Sequence, residues 1–255
     1  MPRFFIDPAQ IRDKTVYIKG EDVKHITKVL RLQAGDRITV CDGQGRDFLV
    51  QLDDLNSAEV TGTILEEQAN TAEPPVDITL VQGLPKGEKM ELIIQKCTEL
   101  GVNRIIPVTM ERSIVQLDAK KAGARRERWQ RVAAEAAKQC RRGRIPLVDE
   151  LCTWKGLWTK IPKGALIIMP WEAQQGQGLN KALAGVEVLA ERKIYIIIGP
   201  EGGIAPGEAE EAHRQGALSV SLGPRILRTE TASLAVLAII MYQLGDLGGL
   251  SGDQQ

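Results

Sequence analysis

Before residue 73 the hydrophobic positions come in short alternating runs, and after it they come in longer blocks of two kinds. The alternation predicts strands over 15–19, 37–41, 48–52 and 59–65, separated by Gly35-Asp36 and by Asp42-Gly43-Gln44-Gly45. Closely spaced strands with turns of this chemistry predict a small β-barrel. One helical period interrupts them: over 21–32, Val23, Ile26, Val29 and Leu30 share a face and leave Lys24, Lys28 and Arg31 to solvent. The polar run 66–73, followed by Pro74-Pro75, reads as a linker that divides the chain into domains 1–73 and 74–250.

Beyond the linker, strand-like 78–84, 104–110, 165–170, 194–199 and 218–222 alternate with helix-like 88–100, 119–142, 179–190 and 206–215. That alternation predicts an α/β domain with a mostly parallel sheet covered by helices. Pro206 suits the first turn of its helix. The last apolar segment, 232–244, is too short to span a bilayer. Its Leu234, Val236, Leu237, Ile239, Ile240 and Met241 occupy too much of the circumference for a one-sided surface helix. One face is expected against its own sheet and another against a second subunit, although full burial inside the monomer would give the same pattern.

Two strand ends carry the densest chemistry. The first is Ile196-Ile197-Ile198-Gly199-Pro200-Glu201-Gly202-Gly203, where an apolar run stops at glycines that tolerate positive φ or close approach of a ligand. The second runs from Leu222-Gly223-Pro224 through Arg225, Ile226, Leu227, Arg228, Thr229, Glu230 and Thr231 to Ala232. A Gly-Pro pair after a strand is ordinary turn punctuation. Neither loop, however, needs two arginines, two carboxylates and two threonines merely to turn, and an open α/β sheet binds its ligand at such strand ends.

Composition narrows the partners. Hydrophobic content of 43% and charged content of 26% are those of a soluble globular protein. Lys+Arg of 33 against Asp+Glu of 33 leaves no net charge, so any nucleic-acid surface must arise by segregating charge. Such segregation exists: Lys120, Lys121, Arg125, Arg126, Arg128, Arg131, Lys138, Arg141, Arg142 and Arg144 are offset locally only by Glu127 and Glu135. A helix of this kind serves as a solvated face or as a phosphate contact. Arg3, Lys24, His25, Lys28 and Arg31 add a second basic group, making phosphate binding plausible.

Other chemistries find little support. Gly43-Gln44-Gly45 and Gly176-Gln177-Gly178 lack the third glycine of a dinucleotide fingerprint, and no Walker A sequence occurs. With His25 and His213 alone, no histidine metal centre is expected, and His213 is expected to face solvent. Cys41, Cys97, Cys140 and Cys152 are dispersed, and no secretory signal precedes them, which predicts reduced thiols in a cytoplasmic protein.

The chain resembles the ribosomal RNA small-subunit methyltransferase E family, within the SPOUT methyltransferases. The residues carrying the resemblance run nearly end to end: Arg3-Phe4-Phe5, the stretch from His25 to Arg31 with Gly35-Asp36, Lys86-Gly87 to Lys96, and Glu99 to Val102. They continue through Glu111-Arg112-Ser113, Trp129 to Arg142 with Glu135 and Gln139, and both glycine-marked loops. Met169 to Glu172 and the tail after Leu247 match weakly. The resemblance implies a PUA-like N-terminal β-barrel that binds RNA and a C-terminal SPOUT α/β domain with a trefoil knot. It also implies S-adenosylmethionine as methyl donor, a homodimer, and N3 of a uridine in 16S ribosomal RNA or the assembled small subunit as acceptor, with no metal and no membrane.

On that reading the cofactor is expected at Gly199, Pro200, Glu201, Gly202, Leu222, Gly223, Ile226, Leu227 and Thr231. RNA contacts are expected from Arg3, Lys24, His25, Arg31, Arg112, Arg141 and Arg225. Uracil N3 must lose its proton, so Glu201 and Glu230 are candidate bases, and Arg228 is the cation that could stabilise the developing anion. Two rival readings stand beside this one: a non-catalytic RNA-binding module, and a SPOUT enzyme acting on transfer RNA or a ribose hydroxyl.

Overall fold

The computed structural model describes residues 1–115, 117–172, 178–184, 193–244 and 246–248. The chain forms two compact units, Met1–Glu73 with Ala137–Ile145, and Pro74–Ala136 with Pro146–Gln255.

The first unit contains β1 (Arg3–Phe5), β2 (Ile11–Arg12), β3 (Thr15–Lys19), α1 (Glu21–Lys24), β4 (Arg37–Cys41), β5 (Arg46–Leu55) and β6 (Glu59–Ala69). They form one sheet in the order β1-β4-β5-β6-β3-β2, antiparallel except where β1 joins β4. Phe4, Val16, Ile18, Ile38, Val40, Phe48, Val50, Leu52 and Val60 meet in a single core. Side chains from β1, β3, β4, β5 and β6 can share one core only if the sheet curls around it, as in a small barrel.

The predicted helix over 21–32 is shorter and changes character. After α1 the chain enters a π-helical turn, His25–Val29, in which Leu30 N donates to the His25 carbonyl five residues back (2.9 Å). The Thr27 hydroxyl donates to the Val23 carbonyl (2.7 Å), competing for the acceptor an α-helix would use. The turn carries Val29 and Leu30 out of the expected buried face, leaving them 69% and 37% exposed.

The expected linker 66–73 is ordered. β6 runs to Ala69, and the residues after it belong to a polar cluster. Arg3 binds Asp47 through both terminal nitrogens (2.7 Å each) and the Arg142 carbonyl (3.0 Å). Asn70 donates to Asp47 (2.9 Å) and to the Arg141 carbonyl (3.2 Å), and buried Arg142 pairs with Glu73 (2.8 Å). This cluster ties the N-terminal strand and β5 to residues 137–145, from the chain's second half. It also engages the guanidinium of Arg3, one of the expected RNA contacts, in hydrogen bonds within the unit.

The second unit contains β7 (Asp77–Gly83), α2 (Lys89–Glu99), β8 (Arg104–Thr109), α3 (Ala119–Gln139), β9 (Leu147–Val148), β10 (Cys152–Thr153), α4 (Trp154–Leu157), β11 (Leu166–Pro170), α5 (Leu179–Leu183), β12 (Lys193–Ile198), α6 (Pro206–Arg214), β13 (Leu218–Val220) and α7 (Thr229–Gln243). The main strand order is β10-β8-β7-β12-β11-β13, with β9 also on β8, and every pairing is parallel. All carboxyl ends therefore lie along one edge. The predicted strands fall where expected, whereas two-residue β9 and β10 are too short for any periodicity to reveal. The predicted helix 179–190 is described only to Leu183; residues 185–190, Gly176-Gln177 and the tail from 249 lie outside the described residues.

α7 buries Ser233, Val236, Leu237, Ile240 and Met241, while Thr231, Ile239 and Tyr242 on the opposite stripe are exposed. Burial pushes the Cys41 and Cys97 thiols well above their usual range. Among the described residues no helix is long and apolar enough to cross a membrane.

The polar cluster makes an acid-sensitive fastening. Burial raises the Asp47 pKa, but hydrogen bonds from Arg3, Cys41 and Asn70 outweigh it and hold the carboxyl below its ordinary value. A folded pKa below the unfolded one gives stability that is complete above about pH 4 and lost as pH falls through the folded value. Asp47→Asn is expected to lower the melting temperature at neutral pH and to flatten its decline in acid. Thermal denaturation between pH 7 and 3 checks this; an unchanged acid slope would remove Asp47 from that role.

Candidate active site

β12 and β13 end on the carboxyl edge of the parallel sheet, and the loops that leave them enclose a cleft of about 450 Å³. Gly199 to Ile204 form one wall, and Ile226 to Thr229 with Ala232 form another; Lys89, Pro170, Glu172 and Ile198 complete it. The glycines allow unusually tight chain paths. A Cβ on Gly199 would stand 2.9 Å from Ile204 and 3.0 Å from the Gly203 backbone, and one on Gly202 would stand 2.8 Å from the Arg112 side chain. Gly83, at the end of β7, is as constrained: a Cβ there would meet Pro200 at 2.6 Å and Met110 at 2.8 Å.

A buried polar network holds these walls together. Gln82 has no solvent exposure; its amide nitrogen donates to the Thr229 hydroxyl (2.9 Å) and to the Gly83 carbonyl (3.0 Å). Thr229 in turn donates to the Gly199 carbonyl (2.7 Å). The Ser233 hydroxyl lies 2.6 Å from Gln82 Oε1 and 2.9 Å from the Thr229 carbonyl. The end of β7, the loop after β12 and the first turn of α7 are thus fixed by side chains with no unmet hydrogen-bonding group, the condition under which buried polar atoms stabilise rather than destabilise.

The charges of the cleft divide into fixed and unfixed. Glu201 accepts from Lys89 Nζ (2.9 Å) and from the Lys86 N–H (3.0 Å). Burial raises its pKa, but the Lys89 contact and the backbone donors outweigh burial and hold the carboxyl below its usual range. Glu230 is different. Its Oε2 is buried and lies 3.7 Å from Lys89 Nζ, within ion-pair range but without a hydrogen bond. Arg228, at the N-cap position of α7, is exposed.

The structure brings together Gly199, Pro200, Glu201, Gly202, Ile226, Leu227 and Arg228 of the expected residues. Leu222, Gly223, Arg225, Glu230 and Thr231 lie nearby in sequence but outside the lining. Gly223 has a φ of 112°, a backbone conformation that favours glycine. Arg112 donates to the Gly202 carbonyl (3.0 Å) and thereby braces the loop. In the first unit Lys24, His25, Lys28, Arg31 and Arg141 are exposed. His213 is exposed yet partnered, its Nε2 lying 2.7 Å from Ser219 Oγ. Gln82, Gly83, Lys89, Glu172 and Ser233 were missed, because contacts between distant segments leave no local periodicity. Lys89 does fall inside the stretch 86–96 that carries the family resemblance.

A family model described as an RNA methyltransferase domain matches residues 72–241, and one described as an RNA methyltransferase PUA domain matches 18–65. The ribosomal RNA small subunit methyltransferase E of Bacillus subtilis is 37% identical over 254 residues, covering 98% of this chain and 99% of the relative. Its counterpart in Synechocystis is 35% identical over 241 residues, covering 93% and 76%. Among solved structures, a ribosomal RNA small subunit methyltransferase E from Neisseria gonorrhoeae bound to S-adenosyl methionine superposes with a TM-score of 0.85 at 33% identity, covering 97% of this chain and 100% of that one. A Legionella pneumophila putative methyltransferase in complex with the bound cofactor SAM gives 0.82 at 28% identity, covering 94% and 97%.

The tight approach at Gly83 yields a test of the site's architecture. Gly83→Ala is expected to displace Pro200 and loosen the loop after β12 while the first unit stays folded. Removing the amide with Gln82→Leu should cost about 1–3 kcal/mol, since buried Thr229 and Ser233 groups lose partners. Urea unfolding checks the second expectation, and amide hydrogen exchange over 199–204 checks the first; native protection of that loop in Gly83→Ala would contradict it.

Proposed function

We propose that this chain, which belongs to the ribosomal RNA small subunit methyltransferase E family, transfers a methyl group from S-adenosylmethionine to N3 of a uridine in 16S ribosomal RNA, acting as a cytoplasmic homodimer. The observation that carries the reading is the cleft between the two glycine loops at the carboxyl edge of the sheet. Its residues fit the donor. Gly199 and Gly202 present bare backbone, Ile198, Ile204, Ile226, Leu227 and Ala232 give an apolar surface for a flat base, and Glu172 and Glu201 supply negative charge for a sulfonium. When bound, the cofactor supplies an electrophilic methyl carbon.

The chain's own residues then have to orient the acceptor and manage one proton. Glu201 is held ionised by Lys89 and is therefore an anchor of the loop rather than the better base. Glu230, outside the lining and 3.7 Å from Lys89 but without a hydrogen bond to its Oε2, is the remaining candidate carboxylate beside the cleft and the one to accept the uracil N3 proton. Exposed Arg228 stabilises the charge that appears on the base as the proton leaves. The exposed Lys24, His25, Lys28 and Arg31 of the PUA-like unit supply phosphate contacts.

The dimer reading rests on α7. Thr231, Ala235, Ile239 and Tyr242 follow one stripe, with Ile239 44% and Tyr242 67% exposed, and a second subunit would cover it. The trefoil knot of the second unit belongs to the same proposal, supported by crossovers that place β11 between β12 and β13.

Purified protein incubated with small subunits lacking the modification and with isotopically labelled S-adenosylmethionine should yield labelled 3-methyluridine in 16S ribosomal RNA, detected by nucleoside mass spectrometry. Label on a ribose hydroxyl or on transfer RNA would overturn the assignment. In single-turnover experiments Arg228→Ala should slow transfer by more than tenfold at saturating RNA and cofactor, and a normal rate would leave that arginine without a catalytic role. Gly202→Val should abolish cofactor binding, because its side chain would enter space held by Arg112. Sedimentation should show a dimer that Tyr242→Glu weakens.

A further inference from the structure

The carboxyl edge of the second unit's sheet holds another cleft, of about 470 Å³, between α4 with Trp158 on one side and α6 on the other. The segment after β8 connects the two clefts: Arg112 donates to the Gly202 carbonyl in the wall of the first, and the Glu111 N–H donates to Glu208 in the wall of the second (2.8 Å). Trp154 and Trp158 meet edge to face, with ring centroids 5.2 Å apart, and both indole nitrogens are buried without an acceptor. Glu208 is occupied by the N–H groups of Glu111 and Ala205, and Glu211 by Arg214 and Gln215. Exposed Glu111, Lys155 and Arg214, with Gly207 and Gln215, complete the lining.

This chemistry discriminates among ligands. Two tryptophan rings give the cleft aromatic surface, and its charges are mixed, Glu111, Glu208 and Glu211 against Lys155 and Arg214. What fits is a flat, neutral ring that lies against the tryptophans and offers an N–H to Glu111, linked to a phosphate that Lys155 can approach. We propose that this cleft receives one unstacked nucleobase of the substrate RNA, beside the nucleotide that is modified; the inference rests on the RNA methyltransferase reading above. Aromatic platforms that hold splayed bases are the usual means of gripping single-stranded RNA. The two clefts share an edge and a connecting wall, so a strand lying along that edge places one base in each.

Nuclear magnetic resonance of the indole N–H groups tests the proposal in the full-length protein, using a short single-stranded ribosomal RNA fragment that contains the methylated site. The signals of Trp154 and Trp158, assigned with Trp154→Phe and Trp158→Phe, are expected to move on addition of the fragment, while that of buried Trp129 stays. Trp158→Ala should weaken fragment binding about 5- to 100-fold, Trp158→Phe should restore most of it, and unchanged S-adenosylmethionine affinity should report an intact fold. Lys155→Ala, a surface change, should weaken binding several-fold even if Trp158→Ala does not fold. If wild-type protein binds and methylates RNA while both indoles stay silent and Lys155→Ala binds normally, the base subsite is wrong and the methyltransferase reading survives. If wild-type protein neither binds nor methylates RNA, the reading beneath it fails.

Discussion

The candidate site depends on one fully buried amide. Gln82 stands at the end of a central strand where an apolar residue would pack as well, yet its nitrogen and oxygen reach Thr229 and Ser233 on α7, and through Thr229 the Gly199 carbonyl. Each of these groups would be costly if buried alone, and together they leave none unsatisfied. The consequence is positional: two loops made pliable by glycine are pinned to the most rigid part of the sheet. A cleft of soft loops can then keep one shape, which is what alignment of two reacting atoms demands.

Electrostatics follows the same economy. Part of the basic run 120–144 is consumed internally: Arg126 donates to the Val148 carbonyl, Arg128 pairs with Glu91, Lys138 with Asp22 and Arg142 with Glu73. The chain can thus be electrically neutral overall and still expose cations in chosen places, among them the turn bearing Lys24, His25, Lys28 and Arg31. A polyanion is attracted to such patches rather than to the whole surface, so salt would act on a few contacts at a time.

Legibility in the sequence tracked the range of the interactions involved. Strands such as β4 and β12 were plain, because burial of one or both faces writes a local pattern. The cleft's loops were plain too, since Gly199, Gly202 and Gly223 announce backbone that ordinary residues cannot follow. What stayed hidden was contact between distant segments: Gln82 with Ser233, Gly83 with Pro200, Arg3 with Asp47. The pairing of Arg3 with Asp47 was hidden because charge alone does not reveal a carboxylate delivered from another strand. The π-helical turn was missed because a helical face was drawn where Thr27 diverts a carbonyl, and the order of 66–73 because Asn70 and Glu73 join a cluster while their polar neighbours stay exposed.

The first unit is assembled from two separate stretches of chain, and this bears on its birth. Arg142, whose guanidinium meets Glu73 and whose carbonyl meets Arg3, belongs to the stretch Ala137–Ile145. A ribosome that has released the strands through β6 has therefore not yet made the piece that closes their polar cluster. At about 5–20 residues per second, that piece follows Glu73 by roughly 4–14 seconds. During that interval the nascent sheet waits with Arg3 lacking the Arg142 carbonyl and Glu73 lacking the Arg142 guanidinium, while β7, α2 and β8 emerge behind it. Folding of this protein is thus not a matter of finishing one unit and beginning the next: the first is sealed by a segment that reaches it only after part of the second exists.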